Sequence, residues 1–299
     1  MLVPTRSFDL HAVVQPLVGP VRAPDLHVMT WNIRRRMPWW WPPPADRWRL
    51  RKPLLNRLLA AEHPTILGLQ EVMPDQSKDV RTMLGPGYAH VGSGRSATRG
   101  GERCEIHYET ARLRPLDADT WWLSARPGTP GSRSFGNLVP RLVTQARFED
   151  LRTGVHFNVL VVQLDHLSRR SRTLSAELLL HRVRDLEGPT VLMGDFNDDA
   201  GSSLHGRLAD GHALQDALVL AGSRAGTDCG TYTRYRPPRP KGRRLDWILA
   251  TPTATVRLAA VNAVRIAGRA ASDHEPVHAV LAWDAAAPGH PERSRPWTV

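Results

Sequence analysis

Apolar positions fall into two rhythms along the chain, and their order predicts most of the architecture. Residues 25–33 (DLHVMTWNI) and 65–72 (TILGLQEV) read as strands. Between them Leu54, Leu55, Leu58 and Leu59 recur at helical spacing, which predicts a helix laid on a sheet. Strands are then expected at 104–108, 119–123, 141–148 and 155–165, with little helix between them. Ala176, Leu179, Leu180 and Val183 mark a second amphipathic helix, and 190–194 (TVLMG) is a strand of the buried type. A helical stretch over 214–221 precedes final strands at 245–249, 256–264 and 276–283. This mixture of βαβ units with consecutive strands predicts an α/β fold, a four-layer α/β sandwich of two packed mixed β-sheets flanked by helices. No internal repeat is present. Residues 1–24 are expected to be an irregular lead-in, 25–284 one domain, and 285–299 a Pro-rich flexible tail.

Two segments lack any apolar period and are expected as loops. One is PWWWPPP at 38–44, whose tryptophans could stack on bases but are expected to pack against the protein. The other is 222–244, in which Arg234, Arg236, Arg239, Lys241, Arg243 and Arg244 alternate with Tyr232 and Tyr235.

Composition narrows the class. The 299 residues carry 40 basic and 29 acidic side chains, a net charge of +11, and all but three of the basic ones are arginine. Guanidinium groups favour forked contacts with phosphate, so the excess points towards polyanions, although an arginine-rich genome would produce the same bias. The isolated Cys104 and Cys229 have no metal-ligand spacing and are expected to be idle thiols. No stretch is long and apolar enough to span a bilayer, and the N-terminal residues lack a secretion-signal pattern. A cytoplasmic monomer is the resulting expectation.

Acidic and amide residues stand at strand ends in five separate places. Asn32 follows VMTW, Glu71 follows ILGLQ, and Asp195 and Asn197 follow VLMG. Asp246 sits in RRLDWIL, and Asp273 and His274 precede EPVHAVLAW. Strand-end side chains of α/β folds converge on one crevice. Carboxylates gathered there repel one another unless a cation neutralises them, and an all-oxygen set suits Mg²⁺ or Mn²⁺.

The stretches MTWNI, LQEV, GERCEIHY, WWLS, VVQLDH, GDFN, RRLDWIL and SDHEPV, in that order, resemble the endonuclease/exonuclease/phosphatase family of metal-dependent phosphoesterases, and they cover nearly the whole chain. The resemblance implies Glu71 as principal metal ligand, Asn32 beside the metal, and Asp246 supporting the site at a second metal position. It implies that Asp195 orients or deprotonates the attacking water and that Asn197 holds substrate or water in line. Asp273, close to the metal, would bond a ring nitrogen of His274, which would then act on a phosphate oxygen or as acid or base. Glu102 is expected near metal or substrate, and Arg243 and Arg244 over the substrate phosphates.

One departure stands out. Relatives end the seventh predicted element in Asn-Thr-His-Leu-Asp-His, whereas this chain has Gln163 in place of the first His. Glutamine can donate to phosphate but cannot titrate. His166 is expected on the opposite strand face from Gln163. The resemblance implies a metal-dependent phosphoesterase acting by in-line water attack, and the basic clusters near the motif loops favour a nuclease cleaving phosphodiester bonds. Two alternatives are an enzyme acting on a small phosphoester or phospholipid headgroup, and a weakly active or non-catalytic binder of phosphate or nucleic acid.

Overall fold

The computed structural model describes residues 14–38, 40 and 43–283. Its strands are β1 (Leu26–Asn32), β2 (Ile66–Val72), β3 (Tyr88–Val91), β4 (Arg103–Glu109), β5 (Leu113–Trp122), β6 (Leu142–Asp150), β7 (His156–Gln163), β8 (Thr190–Asp195), β9 (Gln215–Asp216), β10 (Ser223–Gly226), β11 (Asp246–Ala250), β12 (Thr255–Val261) and β13 (Val277–Ala282). The helices are α1 (Trp48–Glu62), α2 (Pro74–Leu84), α3 (Arg169–Asp185), α4 (Ser203–Leu208) and α5 (Ala217–Leu220). One sheet has seven strands in the order β10-β12-β13-β1-β2-β4-β3; the other has six, β5-β6-β7-β8-β11-β9. Both are mixed: β1 runs parallel to β2 and β7 to β8, while β13, β6 and β11 pair antiparallel with their neighbours. The expected α/β sandwich is thus observed.

Side-chain alternation builds the layers. Val28, Ile66, Val159, Val161, Val191, Met193 and Ile248 meet in the seam between the sheets. The intervening Met29, Trp31, Leu67 and Leu69 face outwards and are covered by Leu54, Leu55, Leu58 and Leu59 of α1 and by Val80 and Leu84 of α2. On the other side Leu160, Val162, Leu192 and Leu249 are covered by Ala176, Leu179, Leu180 and Val183 of α3. Full burial of each larger aliphatic side chain contributes about 1.5–3 kcal/mol relative to exposure, so the two helical faces are strongly bound.

Departures from the expected elements have local causes. α2 carries few buried apolar residues, with only Val80, Met83 and Leu84 as a short stripe, although Pro74 at its first turn is a start signal. The 214–221 stretch is β9 followed by only four residues of α5, with Asp216 capping that helix through the N–H of Leu218. The loop expected at 222–244 opens with β10, which pairs parallel with β12. Trp40 is 69% exposed, so the expected packing fails there. Trp39, Trp41 and the 285–299 segment lie outside the described residues. Leu17, Val18 and Gly19 of the lead-in are fixed by their amides on Glu62.

Candidate active site

Strand parity brings the chemistry together. Asn32 shares the face of Val28, Gln163 that of Val159 and Val161, Asp195 that of Val191 and Met193, and Asp246 that of Ile248. All four therefore point into the seam where it opens at the strand ends. Register aligns them: Gln163 pairs with Asp195, and Asp195 with Asp246, across the second sheet. Glu71 has the wrong parity for the seam. The pairing of β2 with β4 is irregular between Leu69 and Val72, and Glu71 adopts a left-handed φ of 59°. That bulge turns its carboxylate inwards, the use to which bulges beside functional sites are often put. Asn197 is left-handed too, at φ 50°. Gly194 is dictated by space: a Cβ there would lie 1.9 Å from the carbonyl oxygen of Val162.

The resulting hydrogen bonds join the sheets. The amide nitrogen of Asn32 donates to Glu71 Oε1 at 3.1 Å and to Asp195 Oδ2 at 2.9 Å. Gln163 Nε2 donates to Glu71 Oε1 at 2.9 Å and approaches Asp195 Oδ2 at 3.4 Å. Backbone and side-chain N–H groups of Asn197 hold Asp195 at 2.9 and 3.2 Å, and the side chain also donates to the carbonyl of Leu164 at 3.0 Å. Asn197 thus orients Asp195. From below, the buried Arg51 of α1 donates to the carbonyls of Ile33 and Arg34 and so fixes the loop that carries the arginines after Asn32.

Electrostatics follow from this crowding. Burial raises the Asp195 carboxyl, His274 opposes that rise, Asp246 adds to it, and the outcome is about 6. Burial would also raise Glu71, but the Arg34 charge, Asn32 and the Arg35 amide outweigh it and hold the carboxyl at about 2. Burial works against a charged His274, yet Asp246 and Asp195 raise its pKa well above the ordinary imidazole value. Asp273 is pushed up, chiefly by burial.

A cavity of about 480 Å³ opens over these groups. Arg34, Arg35, Arg95, Arg141 and Arg243 line it, together with Glu71, Glu102, Gln163, His166, Asp195, Asn197, Tyr232, Asp273 and His274. The donor set fits a divalent cation. Asp195 and Asp246 each offer a carboxylate oxygen within 4.8 Å of the other, while the protonated His274 beside them offers no lone pair. Asp246 Oδ1 is buried without a hydrogen-bond partner, which is costly for a carboxylate unless a cation faces it. Glu71, ionised, lines the same cavity and brings further carboxylate oxygens to it.

Three expectations need correction. His274 Nδ1 bonds Asp246 Oδ2 at 2.8 Å, so Asp246, not Asp273, sets the imidazole tautomer. The reason is register: the antiparallel pairing of β11 with β8 delivers Asp246 beneath the ring, while the Asp273 carboxylate turns towards Arg34 at 3.8 Å. Arg244 does not reach the cavity. It is paired with Asp216, which also binds His205, and only Arg243 faces the substrate side. His166 lies on the cavity wall beside Gln163, because β7 ends at Gln163 and alternation stops there. Glu102 lines the cavity as expected, bound by Arg35 and Arg95, each at 2.8 Å.

Arg141 was not singled out by sequence reasoning. It is almost fully buried and reaches Asp165 Oδ2 at 3.3 Å, Gln163 Oε1 at 3.2 Å and His166 Nδ1 at 2.8 Å. The signal was available in the pairing of β6 with β7: with Val143 opposite Val162, a residue just before β6 must sit beside the end of β7.

Comparison with known proteins agrees with this geometry. The model of the endonuclease/exonuclease/phosphatase family matches residues 29–274, and the chain belongs to that family. Its members are phosphoester hydrolases that generally depend on a divalent metal. A mannosyl-6-phosphatase from Bacteroides thetaiotaomicron is 28% identical, with a TM-score of 0.80 over 86% of this chain and 100% of that one. A family protein from Bacteroides vulgatus is likewise 28% identical, with a TM-score of 0.80 over 87% and 99%. TDP2 from D. rerio, complexed with a single-strand DNA product, shares the fold at 17% identity, with a TM-score of 0.65 over 86% and 98%. No curated protein sequence matches the chain significantly. Among the described residues, no helix is long and apolar enough to cross a membrane.

Proposed function

We propose that the protein is a divalent-metal-dependent phosphodiesterase, with a nucleic-acid strand as its substrate. The observation that carries this reading is Asp195 standing beside an imidazole, His274, that is paired with Asp246, at the floor of a cavity walled by five arginines. Asp195, oriented by Asn32 and Asn197 and titrating near neutrality, positions the attacking water in line and accepts its proton. His274, kept protonated by Asp246, stabilises charge on a nonbridging oxygen. Arg141 and Arg243 offset the remaining phosphate charge. Glu71 would hold a divalent ion, Mg²⁺ or Mn²⁺, with Asn32, Asp246 and Asp273 around it. When bound, the ion polarises a phosphoryl oxygen and offsets developing charge.

The likeness to the mannosyl-6-phosphatase favours a second reading, hydrolysis of a small sugar phosphate. Hydrolysis of single-stranded DNA, single-stranded RNA, abasic duplex, bis-p-nitrophenyl phosphate and mannose 6-phosphate, with Mg²⁺, Mn²⁺ or EDTA, separates the two. Metal-dependent cleavage of a strand, lost in Asp195→Asn, supports the first reading. Turnover of the sugar phosphate alone supports the second. Tight phosphate binding without any turnover would leave the binder that Gln163 suggested.

A further inference from the structure

Beyond the catalytic cavity, the loop after β10 builds a second basic hollow. Arg234, Arg236 and Arg239 line a space of about 180 Å³ with no acidic residue in its walls. Tyr232 lines both this hollow and the catalytic cavity, so the two are adjacent. All three arginines are exposed, and none has a carboxylate partner among the described residues. Their neighbours behave differently: Arg244 is paired with Asp216, and Arg265 with Glu275.

The loop is fastened to the catalytic backbone. The amides of Thr233 and Arg234 donate to the carbonyl oxygen of Asp273 at 3.1 and 3.0 Å. Thr231 Oγ1 accepts from the amides of Leu245 and Asp246 at 2.9 and 3.1 Å. The Tyr235 hydroxyl donates to Asp46 at 2.8 Å, and Arg265 donates to the carbonyl of Arg236 at 2.8 Å. Arg234 and Tyr235 are held left-handed, at φ 55° and 64°. Clustered like charges on a fixed backbone repel one another, and strain is tolerated only where the surroundings impose it. A bound anion relieves that repulsion, and the tethering at Asp273 means that an anion there is registered against the catalytic groups.

We propose that this hollow is a second phosphate subsite, taking a phosphate covalently linked to the one that is hydrolysed, on the far side of Tyr232. It rests on the phosphoesterase reading and narrows the substrate class to molecules with at least two linked phosphates. A nucleic-acid strand and a small bisphosphate both carry that chemistry.

The test uses the full chain and the charge-reversed double variant Arg236→Glu/Arg239→Glu, with Arg236→Ala/Arg239→Ala as a milder form and Arg170→Glu as a surface control. Anisotropy with a fluorescent single-stranded octanucleotide, measured on Asp195→Asn backgrounds, reads binding without turnover. Expected are at least a tenfold weaker Kd for the double reversal, a smaller loss for the alanine pair, and a salt slope shallower by roughly 0.7 for each phosphate no longer neutralised. In active protein, the ratio of kcat/KM for the octanucleotide over bis-p-nitrophenyl phosphate falls by a similar factor. Competition by adenosine 3′,5′-bisphosphate at concentrations where AMP does not compete identifies a small bisphosphate as sufficient; competition by the strand alone identifies the strand. An unchanged Kd and salt slope in the folded double variant overturns the subsite whether or not the protein is active. Absence of turnover with weakened binding overturns the phosphoesterase reading and leaves the subsite standing.

Discussion

Among the described residues, two buried trios of histidine and carboxylate treat charge in opposite ways. In the active-site trio Asp195, Asp246 and His274, the imidazole is held protonated and one carboxylate oxygen has no partner. In the trio His27, Glu62 and His278, burial drives both imidazoles down to about 3. The carbonyl of Gly19 can only accept, so His27 must donate from Nδ1 at 2.8 Å. Its Nε2 then accepts from His278 Nδ1 at 2.9 Å, and both rings are neutral. Glu62 meanwhile takes the amides of Leu17, Val18 and Gly19 and the side chain of Asn262. The proportions are inverse, two carboxylates to one imidazole against one carboxylate to two, and the supply of donors differs as well. Where N–H groups satisfy the acid, histidine gains nothing from a proton and the trio serves stability. Where acids outnumber donors, carboxylate charge remains for the proposed metal and substrate to use.

The largest expected effect comes from breaking the active-site trio. Asp195→Asn or Asp246→Asn should lower kcat by roughly 10²–10⁴-fold, the usual worth of an acid–base group. Asp195→Asn should melt no lower than the parent, since it removes a charge that burial penalises. Steady-state kinetics with thermal melts would decide; a variant that unfolds while keeping its turnover number would reverse the roles assigned to the trios.

The second effect is acid lability from the neutral pair. The folded pKa values of His27 and His278, about 3, lie below the ordinary 6.5, so the unfolded chain binds these protons first. Their contribution is complete above pH 6.5 and is lost as pH falls towards 3, at about 1.4 kcal/mol per pH unit for each ring. Urea midpoints at pH 7.5, 5.5 and 4.5 measure it. His278→Gln should flatten the slope, and an identical slope in both proteins would remove the neutral pair from the account.

Third, Glu62→Gln should cost about 1.5–3 kcal/mol, because an amide cannot accept at all the positions the carboxylate fills. Turnover per folded molecule should be retained, and active-site titration alongside urea unfolding checks both halves.

These contrasts also mark what the sequence could disclose. The motif residues Glu71, Asp195 and Asn197 were readable because each follows an apolar run, and His274 because it precedes one, while strand parity alone aims Asn32, Gln163, Asp195 and Asp246 into one seam. Asp246 as the partner of His274 was not readable, since it depends on the antiparallel register of β11 against β8. The inward turn of Glu71 depends on a bulge, and the His27–Glu62–His278 trio on contacts between residues far apart in the chain. α2 was invisible because its apolar stripe is short, only Val80, Met83 and Leu84.

The smallest expected effect concerns Gln163, where the departure from the family pattern looks most damaging. Its amide nitrogen serves Glu71 while its oxygen accepts from Arg141, so both ends are in use. A histidine there could also donate from one nitrogen and accept from the other. Arg141, fixed by Asp165, would oppose its protonation. Gln163→His should therefore alter kcat by less than about tenfold, well short of the 10²–10⁴ that an acid–base group supplies. On the proposed mechanism the titrating work at this site belongs to Asp195 and His274. A hundredfold gain in kcat, with a new limb in the pH–rate profile, would instead show that the wild-type cavity lacks a proton donor, and the active-site trio would then be incomplete as drawn.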